Sequence, residues 1–128
     1  MKKNILLVDD DVDFIATNRE TLEKAGYSVS VAYNSEEGMA CLKAAIPDLL
    51  ILDVMMTTPT EGFDFADKLK EIPEFMTLPV IMLTGMTQTP DFAENFQRIL
   101  GRTWTAAAYL EKPIKPAKLV EEVKRVLK

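Results

Sequence analysis

The chain has 128 residues, 48% of them hydrophobic and 27% charged, and its 20 acidic and 15 basic side chains leave a net charge of −5. That length suits one domain, expected over residues 1–128, and that apolar fraction excludes a disordered chain. The negative charge disfavours nucleic acid as a partner, no apolar run approaches the ~20 residues of a bilayer span, and the complete absence of histidine excludes His-based catalysis, ordinary zinc sites and a phosphohistidine carrier.

Met1-Lys2-Lys3 looks like the start of an export signal, but Ile5–Val8 is too short and runs directly into Asp9-Asp10-Asp11. The lone Cys41 has no internal disulfide partner, in keeping with a cytoplasmic protein. Ile5–Val8 is a run of branched apolar side chains and predicts a strand buried on both faces. Asp11 to Ala25 then carries Phe14, Ile15, Leu22 and Ala25 toward one side of a helix, with Gly26 as its stop. Ser28–Tyr33 alternates, placing Val29, Val31 and Tyr33 on one face, the pattern of an edge strand. Asn34 or Ser35 caps the next helix, which presents Met39, Leu42 and Ile46 inward and ends before Pro47; Cys41 beside Leu42 reads as a small buried side chain.

Leu49–Leu52 is a second buried strand. Gly62 to Glu71 predicts a helix with Phe65, Leu69 and Ile72 inward. Val80–Leu83 is a third buried strand. Thr89-Pro90-Asp91 combines a hydroxyl cap, a proline in the first turn and an acid against the helix dipole, and Phe92, Phe96 and Ile99 follow at helical spacing up to Gly101. Ala106–Leu110 is a weaker strand. Pro116 opens a last helix with Leu119, Val120, Val123, Val126 and Leu127 on its buried side. Five strand–helix repeats imply an α/β fold, a five-stranded parallel sheet with helices on both faces and right-handed crossovers.

In such a sheet, chemistry collects beyond the C-terminal strand ends, at the point where strand order reverses. Strand one runs into Asp9-Asp10-Asp11, strand three ends at Asp53, strand four at Thr84, and Lys112-Pro113 follows strand five. The flavodoxin-like order 2-1-3-4-5 makes strands one and three neighbours, so Asp9, Asp10 and Asp53 crowd one pocket. Each piece alone reads as a turn, a cap or loop chemistry, and Asp11 is expected to be a cap rather than a ligand. Together they converge on one site. Like charges a few ångströms apart repel, and an all-oxygen cluster selects a hard divalent cation, Mg²⁺ best, with Mn²⁺ as a substitute. A carboxylate beside that ion, with a lysine ammonium and a threonine hydroxyl nearby, is equipped to accept a phosphoryl group.

Leu7-Val8-Asp9-Asp10-Asp11, then Asp53-Val54-Met55-Met56, then Thr84-Gly85, then Tyr109-Leu110-Glu111-Lys112-Pro113 resembles the receiver domain of two-component response regulators, of the stand-alone, chemotaxis-regulator-like kind. The resemblance covers the whole chain, and four pieces in this order are specific together. It implies that Asp53 is the phosphoacceptor. Asp10 would be the main metal ligand, assisted by Asp9, Asp53 and the backbone carbonyl of Met55. Thr84 and Lys112 would hold the phosphoryl oxygens, and Tyr109 would be the aromatic switch that follows Thr84. The Lys112–Pro113 bond would be cis. The donor would be a sensor histidine kinase, a phosphotransfer protein or a small acyl phosphate. The output would pass to a downstream protein, or to a phosphorylation-dependent homodimer, through the face of the fourth helix, fifth strand and fifth helix. No nucleic acid and no membrane is expected as a partner. The domain would catalyse only its own phosphorylation and dephosphorylation.

Three departures from the family pattern stand out. The loop Thr57–Glu61 is one residue longer, with Thr57 in place of a proline and Gly62 displaced to nine residues after Asp53. The segment from Thr84 to Lys112 is also longer than usual, its extra residues around Gln97–Thr105, and it holds Trp104, either a partner-facing residue or one that packs this helix onto the domain. Met55 and Met86 occupy the positions that flank the attacking water, and a thioether orients water poorly, so self-dephosphorylation should be slow.

Two other fold relatives fit less well. A haloacid-dehalogenase-like phosphohydrolase wants a second aspartate two residues after Asp53, where Met55 stands. A flavodoxin phosphate loop would be repelled by Asp9-Asp10-Asp11. The remaining alternative is a receiver-like interaction module that signals without phosphorylation.

Overall fold

The computed structural model describes residues 2–53, 65, 68, 69, 71–84, 108–111 and 114–127. Five strands form one parallel sheet: β1 (Asn4–Val8), β2 (Ser28–Ala32), β3 (Leu49–Asp53), β4 (Val80–Thr84) and β5 (Ala108–Glu111), in the order β2-β1-β3-β4-β5. Around them lie α1 (Val12–Lys24), α2 (Ser35–Ala44), helical residues Phe65, Lys68, Leu69 and Glu71, a 3₁₀ turn (Pro73–Phe75) and α3 (Pro116–Val126). This is the expected doubly wound arrangement. The predicted helix after Thr89 and the Thr57–Glu61 loop lie outside the described residues.

The pleat divides the core in two. Leu6, Val8, Leu50, Leu52, Val80 and Met82 face one way and pack with Leu42 of α2, Phe65 and Leu69. Ile5, Leu7, Leu49, Ile51, Ile81 and Leu83 face the other way and pack with Ile15 and Leu22 of α1 and Leu119 and Val123 of α3. Every residue of β3 is buried, which is why its sequence reads as one unbroken apolar run rather than an alternation. The strand ladder runs a residue past several of the predicted ends, taking in Asn4, Asp53 and Thr84, and β5 sits at 108–111, where Glu111 pairs with Thr84.

Local chemistry sets the helix ends. Asp11 is the N-cap of α1, its carboxylate accepting from Phe14 N–H at 3.1 Å. Asn34 caps α2: its side chain accepts from Glu37 N–H at 2.8 Å, while Glu37 accepts from Tyr33 N–H at 3.0 Å, a capping box in which the returning bond reaches one residue further back. Pro116 opens α3 in the first turn. Gly26 takes φ +103° just after α1, a conformation that favours glycine. Gly38 answers a different need. A Cβ there would lie 3.0 Å from Phe65 Cε2 and 3.3 Å from Val8 Cγ2, so the missing side chain lets Phe65 seat against α2.

Four sequence expectations shift. Tyr33 lies beyond β2 and is 38% exposed, while Ala32 turns into the α2-side core. Ile46 is 51% exposed, because α2 ends at Ala44 and the extended Ala45 carries the chain away before the helical period brings Ile46 inward. Ala25 and Cys41 are half-buried rather than enclosed. Conversely, Asn18 is buried in the stripe of Ile15 and Leu22; its Nδ2 donates to Phe14 O at 2.8 Å, and its Oδ1 has no hydrogen-bond partner among the described residues.

Candidate functional site

β1 and β3 are hydrogen-bonded neighbours, with Val8 level with Leu52. The next residue on each strand is therefore an aspartate, Asp9 on one and Asp53 on the other. Both follow the alternation of Ile5, Leu7, Leu49 and Ile51, which places them on the face that α1 and α3 cover. The chain leaving β1 turns to α1 on that face, whereas the chain after β3 returns through Phe65 and Leu69 on the opposite face. The two exits diverge, and a crevice opens between them at the switch point.

Into that crevice the fold brings three carboxylates. Asp9 is fully buried, Asp53 is 4% exposed, and Asp10 is exposed to solvent. One carboxylate oxygen from each lies within 4.8 Å of the other two. Asp9 is held from both sides: its N–H donates to Ala32 O at 3.1 Å, and its Oδ1 accepts from Asp11 N–H at 2.9 Å. The second bond aims the N-terminus of α1, with its partial positive charge, at the carboxylate cluster. Asp11 itself turns away to cap the helix, as its sequence position suggested.

This donor set suits a small hard cation. Mg²⁺ binds oxygen at about 2.0–2.1 Å, retains water and prefers carboxylates to nitrogen or sulfur ligands. Three oxygens already clustered, two of them on buried groups, need little side-chain adjustment to share such an ion. The ion would in turn offset the repulsion among carboxylates placed where water screens them poorly.

Two of the other expected site residues, Thr84 and Tyr109, lie on the strands beyond β3. Asp53 is level with Leu83, so Thr84 ends β4 one position further on, and Tyr109 lies on β5 beside Met82. Lys112, Pro113, Met55, Met86 and Trp104 lie outside the described residues. What the sequence reading missed is the Ala32 carbonyl that anchors Asp9. It belongs to a strand paired only in the tertiary structure, and no local pattern announces it.

The response regulator receiver domain family model matches residues 5–124. The chain belongs to that family. This receiver is 37% identical over 124 residues to the transcriptional regulatory protein CpxR of Klebsiella pneumoniae, covering 97% of this chain and 49% of that protein. It is 31% identical over 128 residues to the alkaline phosphatase synthesis transcriptional regulatory protein PhoP of Bacillus subtilis, covering 100% of this chain and 50% of that one. The chain thus spans about half the length of these curated relatives. The solved structure of the chemotaxis response regulator CheY4 of Vibrio cholerae superposes with a TM-score of 0.83 at 29% identity, covering 99% of this chain and 100% of that one. The receiver is a phosphorylation-dependent signalling domain of two-component type. Among the described residues, no helix is long and apolar enough to cross a membrane.

Proposed function

We propose that Asp53 is the residue phosphorylated, with Mg²⁺ held by Asp9, Asp10, Asp53 and the backbone carbonyl of Met55. The observation that carries this reading is the gathering of three carboxylates from β1 and β3 within 4.8 Å, in a chain of the receiver family. An Asp53 carboxylate oxygen attacks phosphorus; the bond from phosphorus to the donor breaks, and the donor leaves with the electron pair. The donor is a phosphohistidine of a sensor kinase or phosphotransfer protein, or a small acyl phosphate. The cation supplies charge neutralisation to the phosphoryl oxygens. Lys112 and Thr84 bind those oxygens, and Tyr109 follows Thr84, shifting the population of the face formed by the segment after Thr84, β5 and α3 toward its partner-binding state. That face then engages a downstream protein. With Met55 and Met86 beside the acyl phosphate, hydrolysis is slow, because neither side chain activates water.

Intact mass spectrometry after incubation with Mg²⁺ and a small acyl-phosphate donor tests the assignment. A single phosphoryl increment in the wild type, absent in Asp53→Asn and absent without Mg²⁺, is the expected result. An increment that survives Asp53→Asn would move the acceptor elsewhere. No increment in either protein, with the small donor or a histidine-kinase donor, would favour an interaction module that signals without phosphorylation.

A further inference from the structure

Asp11 stands next to the three clustered carboxylates without being one of them, yet its N–H, its carbonyl and its side chain are all engaged. The N–H donates to Asp9 Oδ1 at 2.9 Å, the carbonyl accepts from Ile15 N–H at 3.0 Å, and the side-chain Oδ1 accepts from Phe14 N–H at 3.1 Å. Two of these bonds fix Asp11 to the first turn of α1, and the third fixes the Asp9 carboxylate to Asp11. Asp9 is fully buried, with its own N–H tied to Ala32 O at 3.1 Å. Its backbone is therefore set by β2 and its carboxylate by Asp11. Asp10, which supplies another of the clustered oxygens, lies between these two anchored residues, so the same bonds restrict the backbone that carries it.

Such a residue acts on a nearby cation in one of two ways, through its charge or through the geometry it imposes. Asp11 is exposed, so water screens its charge, whereas its hydrogen bonds are short and converge on a buried carboxylate. We propose that Asp11 is a positioning residue for the cation: its cap on α1, not its charge, holds Asp9 and Asp10 in the arrangement that binds Mg²⁺. This role rests on the metal assignment proposed above and deepens it. A group that orients a metal ligand by hydrogen bonding typically contributes ten- to a hundredfold in metal affinity. The cap works at one remove, by fixing the backbone N–H that Asp9 accepts from, so the lower end, about tenfold, is expected. Coupling between two sites is reciprocal, so an ion that is bound more tightly because the cap is formed must stabilise that cap by the same factor. Occupancy of the carboxylate cluster is thereby transmitted to the first turn of α1.

A Mg²⁺ titration of the full chain without any phosphoryl donor, followed by amide NMR shifts, tests this with substitutions that separate charge from cap. Asp11→Asn removes the charge and keeps a capping oxygen, whereas Asp11→Glu keeps the charge and gives up a favoured cap. Asp11→Asn should bind Mg²⁺ within about twofold of wild type, and Asp11→Glu and Asp11→Ala about tenfold more weakly. Ile5→Val, a core truncation near the start of β1, lowers stability without touching Asp11 and should bind like wild type. Exchange of the Phe14 amide should slow by up to about tenfold when Mg²⁺ is added to the wild type, and by less than about twofold in Asp11→Glu. The reverse order, with Asp11→Glu tight and Asp11→Asn weak, overturns the proposal in favour of charge. It is equally overturned if Ile5→Val binds as weakly as Asp11→Glu, or if Mg²⁺ leaves Phe14 exchange in the wild type unchanged. A wild type that binds no Mg²⁺ sinks the metal assignment and this role with it, whereas a wild type that binds, with the Asp11 variants out of order, sinks this role alone.

Discussion

At the C-terminal ends of β1 and β3 the chain buries two carboxylates; ahead of β3 and β4 it leaves Ile46 and Met76 exposed. Asp9 and Asp53 are at most 4% accessible at one end, while Ile46 and Met76 are more than half accessible at the other. The buried carboxylates reverse the usual distribution of polar and apolar groups, whereas single exposed apolar side chains are ordinary. At the carboxylate end the reversal is built into the sheet, through neighbouring strands and the N–H groups that hold Asp9 in place. At the opposite end the exposure of Ile46 follows from α2 stopping at Ala44, two residues before it. The first arrangement gathers like charges that a bound cation would offset.

Substitutions at and between the two ends sharpen this contrast. Leu50, fully buried midway along β3, sets the scale: Leu50→Ala should destabilise by about 3 kcal/mol in urea unfolding, the usual size for a truncated core leucine. A loss below about 1 kcal/mol would mean that the sheet's centre is not the rigid platform on which both ends depend. Asp9→Asn keeps an acceptor for Asp11 N–H but removes one of three crowded charges. It should raise stability by about 1–2 kcal/mol in a chelator and abolish the rise in Tm that Mg²⁺ gives the wild type. Thermal melts with and without Mg²⁺ decide this, and a variant less stable than wild type in chelator would show that the carboxylates are not in net repulsion.

Asn18 extends the contrast down the face shared by α1 and α3. Its buried Oδ1 lacks a partner among the described residues, so Asn18→Leu should stabilise by about 1 kcal/mol while freeing only a local bond to Phe14 O. Equal or lower stability in chemical denaturation would indicate that the amide is satisfied in solution. The smallest effect belongs to the surface of α3. Arg125, hydrogen-bonded to Glu122 at 2.8 and 3.0 Å, holds that carboxyl below the usual carboxylate range, with Lys118 adding to the effect at 3.4 Å. A carboxyl depressed in the folded state stabilises above its unfolded pKa and loses that contribution as pH falls through the folded value. Arg125 and Lys118 are more than half exposed, so solvent screens the pair. Glu122→Gln should therefore lose only about 0.3–0.5 kcal/mol near neutral pH, and the difference from wild type should vanish in acid melts below about pH 3. A gap that persists in acid would have to be packing instead.

The strands and caps were legible because their causes are local. Four-residue runs of branched apolar side chains marked β1, β3 and β4, Asp11 announced α1 as its cap, Pro116 announced α3 by its place in the first turn, and of the two caps offered for α2, Asn34 or Ser35, the structure uses Asn34. The acidic site was legible as an ordered set of strand-end residues. Its oxygens come within 4.8 Å of one another only because β1 and β3 pair in register. Helical spacing groups Asn18 with Ile15 and Leu22, and the packing of α1 against the sheet buries its polar side chain with them. Ile46 and Tyr33 went the other way, since periodicity says which side a residue faces but not whether the element continues far enough to bury it. The sequence by itself determined the elements, their order and the chemistry waiting at the strand ends, because those depend on propensity, capping and residue type. Tertiary structure alone decided which carboxylates meet, which polar side chain is enclosed and which apolar ones remain outside, because proximity and burial depend on how distant segments pack.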